Sequence, residues 1–149
     1  WFGSLRRHTR TATLLPQGES IHGEPGEPEV DMLQCYLFEP DPSLERSGLL
    51  HQLQCPAIHP GIGLLTAGEP TDSPWLTTFE VIERMPWRLR KVQDALRALN
   101  AGIVEVKTRG KTVDPDTTQR QLRGKGDQPV TVFVLRFDRQ IEAIIARRC

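Results

Sequence analysis

The sequence has few aromatic residues and no long apolar run. Phe, Trp and Tyr make up 6% of its 149 residues, so any platform that stacks RNA bases must be small. The most apolar stretch, residues 130–137 (VTVFVLRF), is far too short to cross a bilayer. No secretory signal is visible, because basic residues interrupt the N-terminal segment. We therefore expect a soluble protein without a membrane partner.

Cysteine is also scarce, and its spacing argues against disulfides. The three cysteines, Cys35, Cys55 and Cys149, are far apart and form no C-x-x-C pair. This pattern fits a reducing compartment, and we expect a cytoplasmic location. A cluster of Cys55 with His51 and His59 is conceivable, but no fourth ligand lies nearby. We therefore expect no metal site.

Residues that could carry out catalysis are missing as well. No serine lies in a G-x-S-x-G context, and no carboxylates are spaced as an acid/base pair. The sequence predicts no catalytic residue in this chain, which makes an independent enzyme the weakest interpretation.

Charge is balanced overall but divided between the two halves of the chain. Residues 1–85 carry 5 basic and 12 acidic side chains, a net charge of −7, whereas residues 86–149 carry 14 basic and 7 acidic ones, a net charge of +7. Such an asymmetry indicates either that the C-terminal half binds a polyanion or that the two halves pair with each other.

Hydrophobic periodicity and turn residues predict alternating strands and helices. Asp-Pro pairs at 41–42 and 114–115 each predict a helix start, with Asp as the N-cap. A helix over 86–100 is predicted to end in a left-handed cap at Gly102. The other predicted helices run from 42 to about 55 and over 115–123, and the predicted strands are 11–15, 20–22, 35–38, 62–66, 76–84, 103–108, 130–137 and 140–147.

These elements predict an α+β fold with α/β-like features. Strand 76–84, helix 86–100 and strand 103–108 form a β-α-β unit, whose two strands should run parallel. Strands 130–137 and 140–147 form a C-terminal β-hairpin, and the first is apolar on both faces, which is typical of a central strand. We expect a small mixed sheet packed by two or three helices.

The segment 103–126 is the best candidate for a functional site. Its first loop holds Lys107, Arg109, Gly110 and Lys111, and these cations suit phosphate groups. Glycines at 110, 124 and 126 should let the backbone approach a ligand closely. The alternative for Arg109 is an ion pair with Asp114, Asp116 or the hairpin.

A second basic group follows in the same segment. Arg120, Arg123 and Lys125 lie on the predicted helix 115–123 and its exit, and we expect them to contact RNA phosphates as well. The alternative is a solvated helix face with no partner.

The same residues resemble the THUMP-like domain at the C-terminus of a family of bacterial proteins with a class I S-adenosylmethionine-dependent methyltransferase domain. The resemblance rests on 79–126 and on the closing hairpin VTVFVLRFDRQIEAIIARR. Its most specific part is the pattern G-x-x-E-x-K-x-R-G at 102–110, followed by VDPD at 113–116. Residues 36–50 and 64–81 also resemble this family, and 4–16 resembles the last strands of its methyltransferase sheet.

The resemblance implies three regions. Residues 1–30 would be the end of a truncated methyltransferase-type sheet and an acidic loop, 31–75 a connecting region with one helix, and 76–149 the THUMP-like domain. The chain would then be a C-terminal piece of a longer protein, as its abrupt start at Trp1-Phe2-Gly3 also suggests.

The resemblance also implies a function. THUMP domains accompany RNA-modifying enzymes, so we expect an accessory domain that holds structured RNA, tRNA or rRNA, for its own methyltransferase domain. No glycine-rich S-adenosylmethionine motif is present here, because Gly61-Ile62-Gly63 precedes a strand instead of following one. We therefore expect no cofactor in this chain, with S-adenosylmethionine bound elsewhere in the parent protein. The rival hypothesis is a scaffold that docks on the methyltransferase domain without RNA.

Overall fold

A six-stranded mixed sheet is the main element of the computed structural model, which describes residues 9–149. Two short strands form a separate antiparallel pair, and three α-helices complete the fold, so the predicted α+β class is confirmed. A single-turn 3-10 helix, Leu50–Leu53, follows the first α-helix. The elements are β1 (Arg10–Leu14), β2 (Glu19–Gly23), β3 (Tyr36–Pro40), α1 (Pro42–Ser47), β4 (Leu65–Ala67), β5 (Leu76–Pro86), α2 (Leu89–Ala98), β6 (Ala101–Arg109), α3 (Pro115–Leu122), β7 (Gln128–Phe137) and β8 (Gln140–Arg148).

The order of strands in the large sheet is β4-β3-β5-β8-β7-β6. The predicted hairpin is β7–β8, and it lies between β5 and β6. Because β8 is antiparallel to both β5 and β7, and β7 is parallel to β6, strands β5 and β6 run parallel as predicted. They are not neighbours, however. The adjacent parallel pair is β6–β7, which α3 connects.

The central position of β7 is confirmed by its burial. Every residue from Val130 to Leu135 is buried, since alternate side chains enter two different cores. Val132 faces α2 and α3, and we call this side of the sheet the helical face. Phe133 points to the other side, the second face, where its ring meets that of Phe79 edge-on with centroids 5.0 Å apart.

The sheet folds over its second face. β3 and β6 are separated by four strand steps, which would put them about 19 Å apart in a flat sheet. Yet Lys107 on β6 reaches Glu39 on β3, with Nζ 2.8 Å from Oε1. The register of β5 against β8 is interrupted between Val81 and Glu83, and a bulge of this kind bends its strand locally.

The ends of α2 differ from the prediction. The helix covers Leu89–Ala98, and the left-handed residue beyond it is Asn100, with φ 55°, not Gly102. Asn tolerates this conformation because its short polar side chain bonds locally, and here the Asn100 amide donates to Asp127 Oδ1 at 2.7 Å. Gly102 instead lies within β6.

The connecting region also departs from the prediction in two places. The helix that Asp41 caps begins at Pro42 and ends at Ser47, because Gly48 takes φ 74° and closes it with a left-handed cap. The predicted strand 62–66 is reduced to β4, Leu65–Ala67. Before it, Gly61 and Gly63 both have positive φ, which turns the chain and prevents extended pairing.

Strands β3 and β4 connect the region 31–75 to residues 76–149, since they belong to the same sheet as β5–β8. The β1–β2 pair confirms the two strands predicted around the turn at 16–18. Of the segment 4–16 that resembles the end of a methyltransferase sheet, residues 4–8 lie outside the described residues, as does the start at Trp1.

Candidate nucleic-acid interface

The first predicted basic group lies at the C-terminal end of β6, and two of its cations are already paired. Lys107 Nζ lies 2.8 Å from Glu39 Oε1 and 3.4 Å from Glu105 Oε1. Arg109 Nη2 lies 3.9 Å from Glu45 Oε2, near the upper limit for an ion pair.

The partners of these cations come from the acidic half of the chain. Glu39 is the last residue but one of β3, and Glu45 belongs to α1. The alternative partners predicted for Arg109, which were Asp114, Asp116 and the hairpin, were wrong, since its ion-pair partner among the described residues is Glu45. Asp114 instead caps α3 by accepting from the backbone amides of Asp116 and Thr117 at 3.0 and 3.2 Å.

Gly110 and Lys111 continue this first group into an exposed turn. Both have positive φ, 83° at Gly110 and 54° at Lys111. Arg136 lies under the turn and donates from Nε to the Gly110 carbonyl oxygen at 3.4 Å. Lys111 is exposed and forms no ion pair with any residue of 9–149, so its charge is available to a ligand.

The second predicted basic group lies at the other end of the sheet. Arg120 is in the last turn of α3, where its Nε donates to the Asp116 carbonyl oxygen at 3.3 Å. Arg123 and Lys125 follow the helix, are exposed, and have no ion-pair partner within the described part of the chain. They line a cavity of about 370 Å³ between the C-terminal ends of α2 and α3, together with Gln93 and Gln121.

The glycines near this cavity have a structural role that the sequence did not reveal. Gly124 N donates to the Gly102 carbonyl oxygen at 2.9 Å, and Gly126 N donates to the Ala101 carbonyl oxygen at 3.1 Å. A Cβ at Gly102 would collide with the Gly126 carbonyl oxygen, and a Cβ at Gly126 with that of Asn100. The space beside Gly124 and Gly126 is therefore occupied by this chain's own backbone, where we had predicted ligand approach.

The two basic groups do not form one continuous surface. Lys107, Arg109, Gly110 and Lys111 lie where β6 ends, whereas 120–125 lies where β6 begins. A nine-residue strand separates these ends by about 26 Å. An RNA contacting both groups would have to span this distance.

Two further cations, missed in the sequence, lie near the second group. Arg147 and Arg148 end β8, are exposed, and form no ion pair with the residues described. They border a hollow of about 250 Å³ on the sheet, which Ile103 and Pro129 also line. An Arg-Arg pair at a strand end was visible in the sequence, but only the strand order places it beside the start of β6.

The cysteines and histidines considered as metal ligands are not assembled. Among residues 9–149, no three His, Cys, Asp or Glu side chains are grouped so that they could hold a metal ion. His59 instead contacts Asp138, with Nε2 3.1 Å from Oδ1, and packs edge-on against Phe137. Burial raises the pKa of the Cys55 thiol.

No helix within 9–149 is long and apolar enough to cross a membrane.

Comparison with known proteins identifies the second part of the chain. The family described as THUMP domain-like matches residues 76–148, which span β5 to β8 and contain both basic groups. These residues form a THUMP-like domain. The correspondence confirms the resemblance read from the pattern at 102–110 and the closing hairpin.

Longer relatives show the setting of this domain. Two proteins from different strains of Mycobacterium tuberculosis, each named an uncharacterized S-adenosylmethionine-dependent methyltransferase, are 31% identical to the chain over 133 residues. The match covers 86% of this chain but only 37% of each relative's length. The THUMP-like domain therefore occurs in proteins named as methyltransferases.

A solved structure shares the fold. The crystal structure of a protein from Porphyromonas gingivalis, described as a proposed methyltransferase, superposes with a TM-score of 0.69 at 16% identity. The superposition covers 91% of this chain and 36% of the other. It includes residues on both sides of position 76, so the connecting region and the THUMP-like domain share one arrangement in both proteins.

Proposed function

We propose that this chain is the RNA-holding part of an S-adenosylmethionine-dependent RNA methyltransferase and is not itself catalytic. The observation that carries the proposal is a set of exposed cations without ion-pair partners among the described residues, in a THUMP-like domain. These cations are Lys111, Arg120, Arg123 and Lys125. Exposed, unpaired cations can neutralise phosphates without first giving up a protein partner.

The RNA would be structured, tRNA or rRNA, and contacted mainly through its phosphates. Few aromatic side chains are available, so stacking contributes little to affinity. Phosphate contacts fix the register of a nucleic acid but read no sequence. The domain would position the RNA, and a catalytic portion outside residues 1–149 would bind S-adenosylmethionine and select the target base.

The two halves of the first basic group have different roles in this proposal. Lys107 and Arg109 are held by Glu39 and Glu45, as the scaffold hypothesis expects. Their role is to fasten the connecting region to the THUMP-like domain. Lys111, beyond the end of β6, is the member of that group that contacts RNA.

A scaffold without RNA remains the second candidate, and the Lys107–Glu39 contact favours it. In that case the connecting region and the THUMP-like domain form one rigid support for the methyltransferase domain. The scaffold gives no function to the unpaired cations at 123 and 125.

Fluorescence anisotropy with labelled bulk bacterial tRNA tests the proposal. We expect micromolar binding at low salt that weakens as salt is added. The variant Arg123→Glu/Lys125→Glu should lose most of the affinity, whereas Arg139→Glu should keep it. Arg139 is an equally exposed cation in the β7–β8 turn, at the other end of the sheet. Absence of binding at low salt would contradict the proposal and leave the scaffold.

A further inference from the structure

The hollow beside Arg147 and Arg148 has the composition of a nucleotide site. It lies on the sheet where β6 and β7 begin and β8 ends, and its volume is about 250 Å³. The residues that border it include two arginines, Pro129 and an exposed aliphatic residue, Ile103.

The strand register brings Ile103, Pro129 and Arg148 to the second face, whereas Arg147 alternates with Ala146 and lies on the same side as Ile145, the helical face. Val104 and Val130 enter the helical core, so by alternation their neighbours Ile103 and Pro129 project from the opposite face. Continuing the β7–β8 register by two residues puts Pro129 opposite Arg148, beside Ile103. An apolar surface and a cation are thus juxtaposed on three adjacent strands.

Ile103 is the unusual member of this set. It is 70% exposed, on a strand whose two valines, Val104 and Val106, are buried. An exposed Ile contributes nothing to the core, but it offers an apolar surface to a flat ring.

The charges around the hollow favour an anion. Arg147 and Arg148 are exposed and unpaired within 9–149. The one carboxylate in the wall, Glu105, lies 3.4 Å from Lys107 Nζ, which offsets its charge. The position opposite Arg147 on β5 is Glu80, which lies beyond ion-pair distance.

We propose that this hollow binds one nucleotide of a single-stranded RNA segment, with its phosphate on Arg148 and one face of its base against Ile103 and Pro129. The inference rests on the proposed function. It deepens that function by extending the RNA contact from Arg123 and Lys125, on the helical side, across the end of the sheet to the second face. The RNA strand would cross the end of the sheet at which β6 begins.

Photocrosslinking locates the nucleotide directly. A hexauridylate carrying one 4-thiouridine is irradiated with the chain, and the crosslinked peptide is identified by mass spectrometry. We expect crosslinks within 101–105 or 128–131, which form the wall of the hollow. Crosslinks confined to other segments, or no specific crosslink, would overturn the inference.

Two substitutions separate the roles of base and phosphate. Ile103→Thr keeps a β-branched residue but removes apolar surface, and should weaken hexauridylate binding about fivefold without changing its salt dependence. Arg148→Gln should lower the slope of log affinity against log salt by about 0.7, the value for one phosphate contact in a single strand. The matched controls are Met32→Thr, at another exposed apolar residue, and Arg139→Gln, and both should leave binding unchanged.

The outcomes distinguish this inference from the proposed function. If tRNA binds and depends on Arg123 and Lys125, but Ile103→Thr and Arg148→Gln match their controls, the nucleotide site is wrong and the proposed function stands. If neither tRNA nor hexauridylate binds, both are wrong. If a protein partner instead protects Ile103 from hydrogen exchange while RNA does not, the hollow is a protein-docking surface.

Discussion

Lys107 Nζ lies 2.8 Å from Glu39 Oε1 and so joins two strands that are four steps apart in the sheet. This contact fastens the connecting region over the second face of the THUMP-like domain. It also gives a carboxylate partner within the chain to Lys107, a cation that the sequence analysis predicted to contact RNA phosphates.

The Lys107–Glu39 pair should stabilise the fold measurably. Both side chains are about three-quarters buried, so the pair is less screened than a surface pair. We expect Lys107→Met to lower the free energy of unfolding by about 1 kcal/mol, and a double-mutant cycle with Glu39→Gln to recover a favourable coupling. Urea denaturation measures it. The Arg109→Met variant is the comparison, because its 3.9 Å pair should contribute less. A coupling energy of zero would show that the Lys107–Glu39 pair does not stabilise the folding of the sheet over its second face.

Gly102 should tolerate no side chain. Gly102→Ala places a methyl group against the Gly126 carbonyl oxygen, so we expect a loss of about 2 kcal/mol or more in unfolding free energy. Gly61→Ala is the control for conformation alone. Gly61 has open space around it but φ 78°, so its cost should be about 1 kcal/mol. Equal effects of the two substitutions would argue against the close backbone packing of 124–126 on the start of β6.

The start of α3 depends on Asp114. Its carboxylate accepts from two backbone amides of the first turn, so Asp114→Ala should cost about 1 kcal/mol in thermal or urea unfolding. Asp116→Ala removes a carboxylate from the same turn without removing a cap, and should cost about 0.3 kcal/mol. If the two variants unfold alike, Asp114 acts through charge alone.

The three cysteines should react at two different rates. Cys35 and Cys149 are exposed, whereas burial raises the pKa of the half-buried Cys55 thiol. Because the thiolate is the nucleophile, Cys55 has a smaller reactive fraction near neutral pH, and its rate should approach the others as pH rises. Titration with an aromatic disulfide reagent should show two fast thiols and one slow one, and Cys55→Ser should remove the slow phase. Three equal rates at pH 7 would contradict this.

Much of the fold followed from local signals. The Asp-Pro pairs at 41 and 114 both cap helices, and the apolar run of β7 marked the central strand correctly. These predictions succeed because capping and burial on both faces leave their mark in a few consecutive residues.

The remaining features depend on contacts between distant segments. The partners of Lys107 and Arg109 come from β3 and α1, which reach them only because the sheet folds over. The closeness of Gly102 to Gly126 likewise needs the return of the chain after α3. The sequence could therefore identify cations, but not which of them the fold had already neutralised.

The most direct test compares the salt dependence of tRNA affinity in two double variants. Arg123→Gln/Lys125→Gln removes two of the four unpaired cations, and Lys107→Gln/Arg109→Gln removes the two paired ones. We predict that the first lowers the slope of log affinity against log salt by about 1.4 to 1.8, corresponding to two lost phosphate contacts, and that the second leaves the slope unchanged. The opposite pattern would contradict the account, because it would place the RNA at the end of β6 and show that phosphate displaces Glu39 and Glu45.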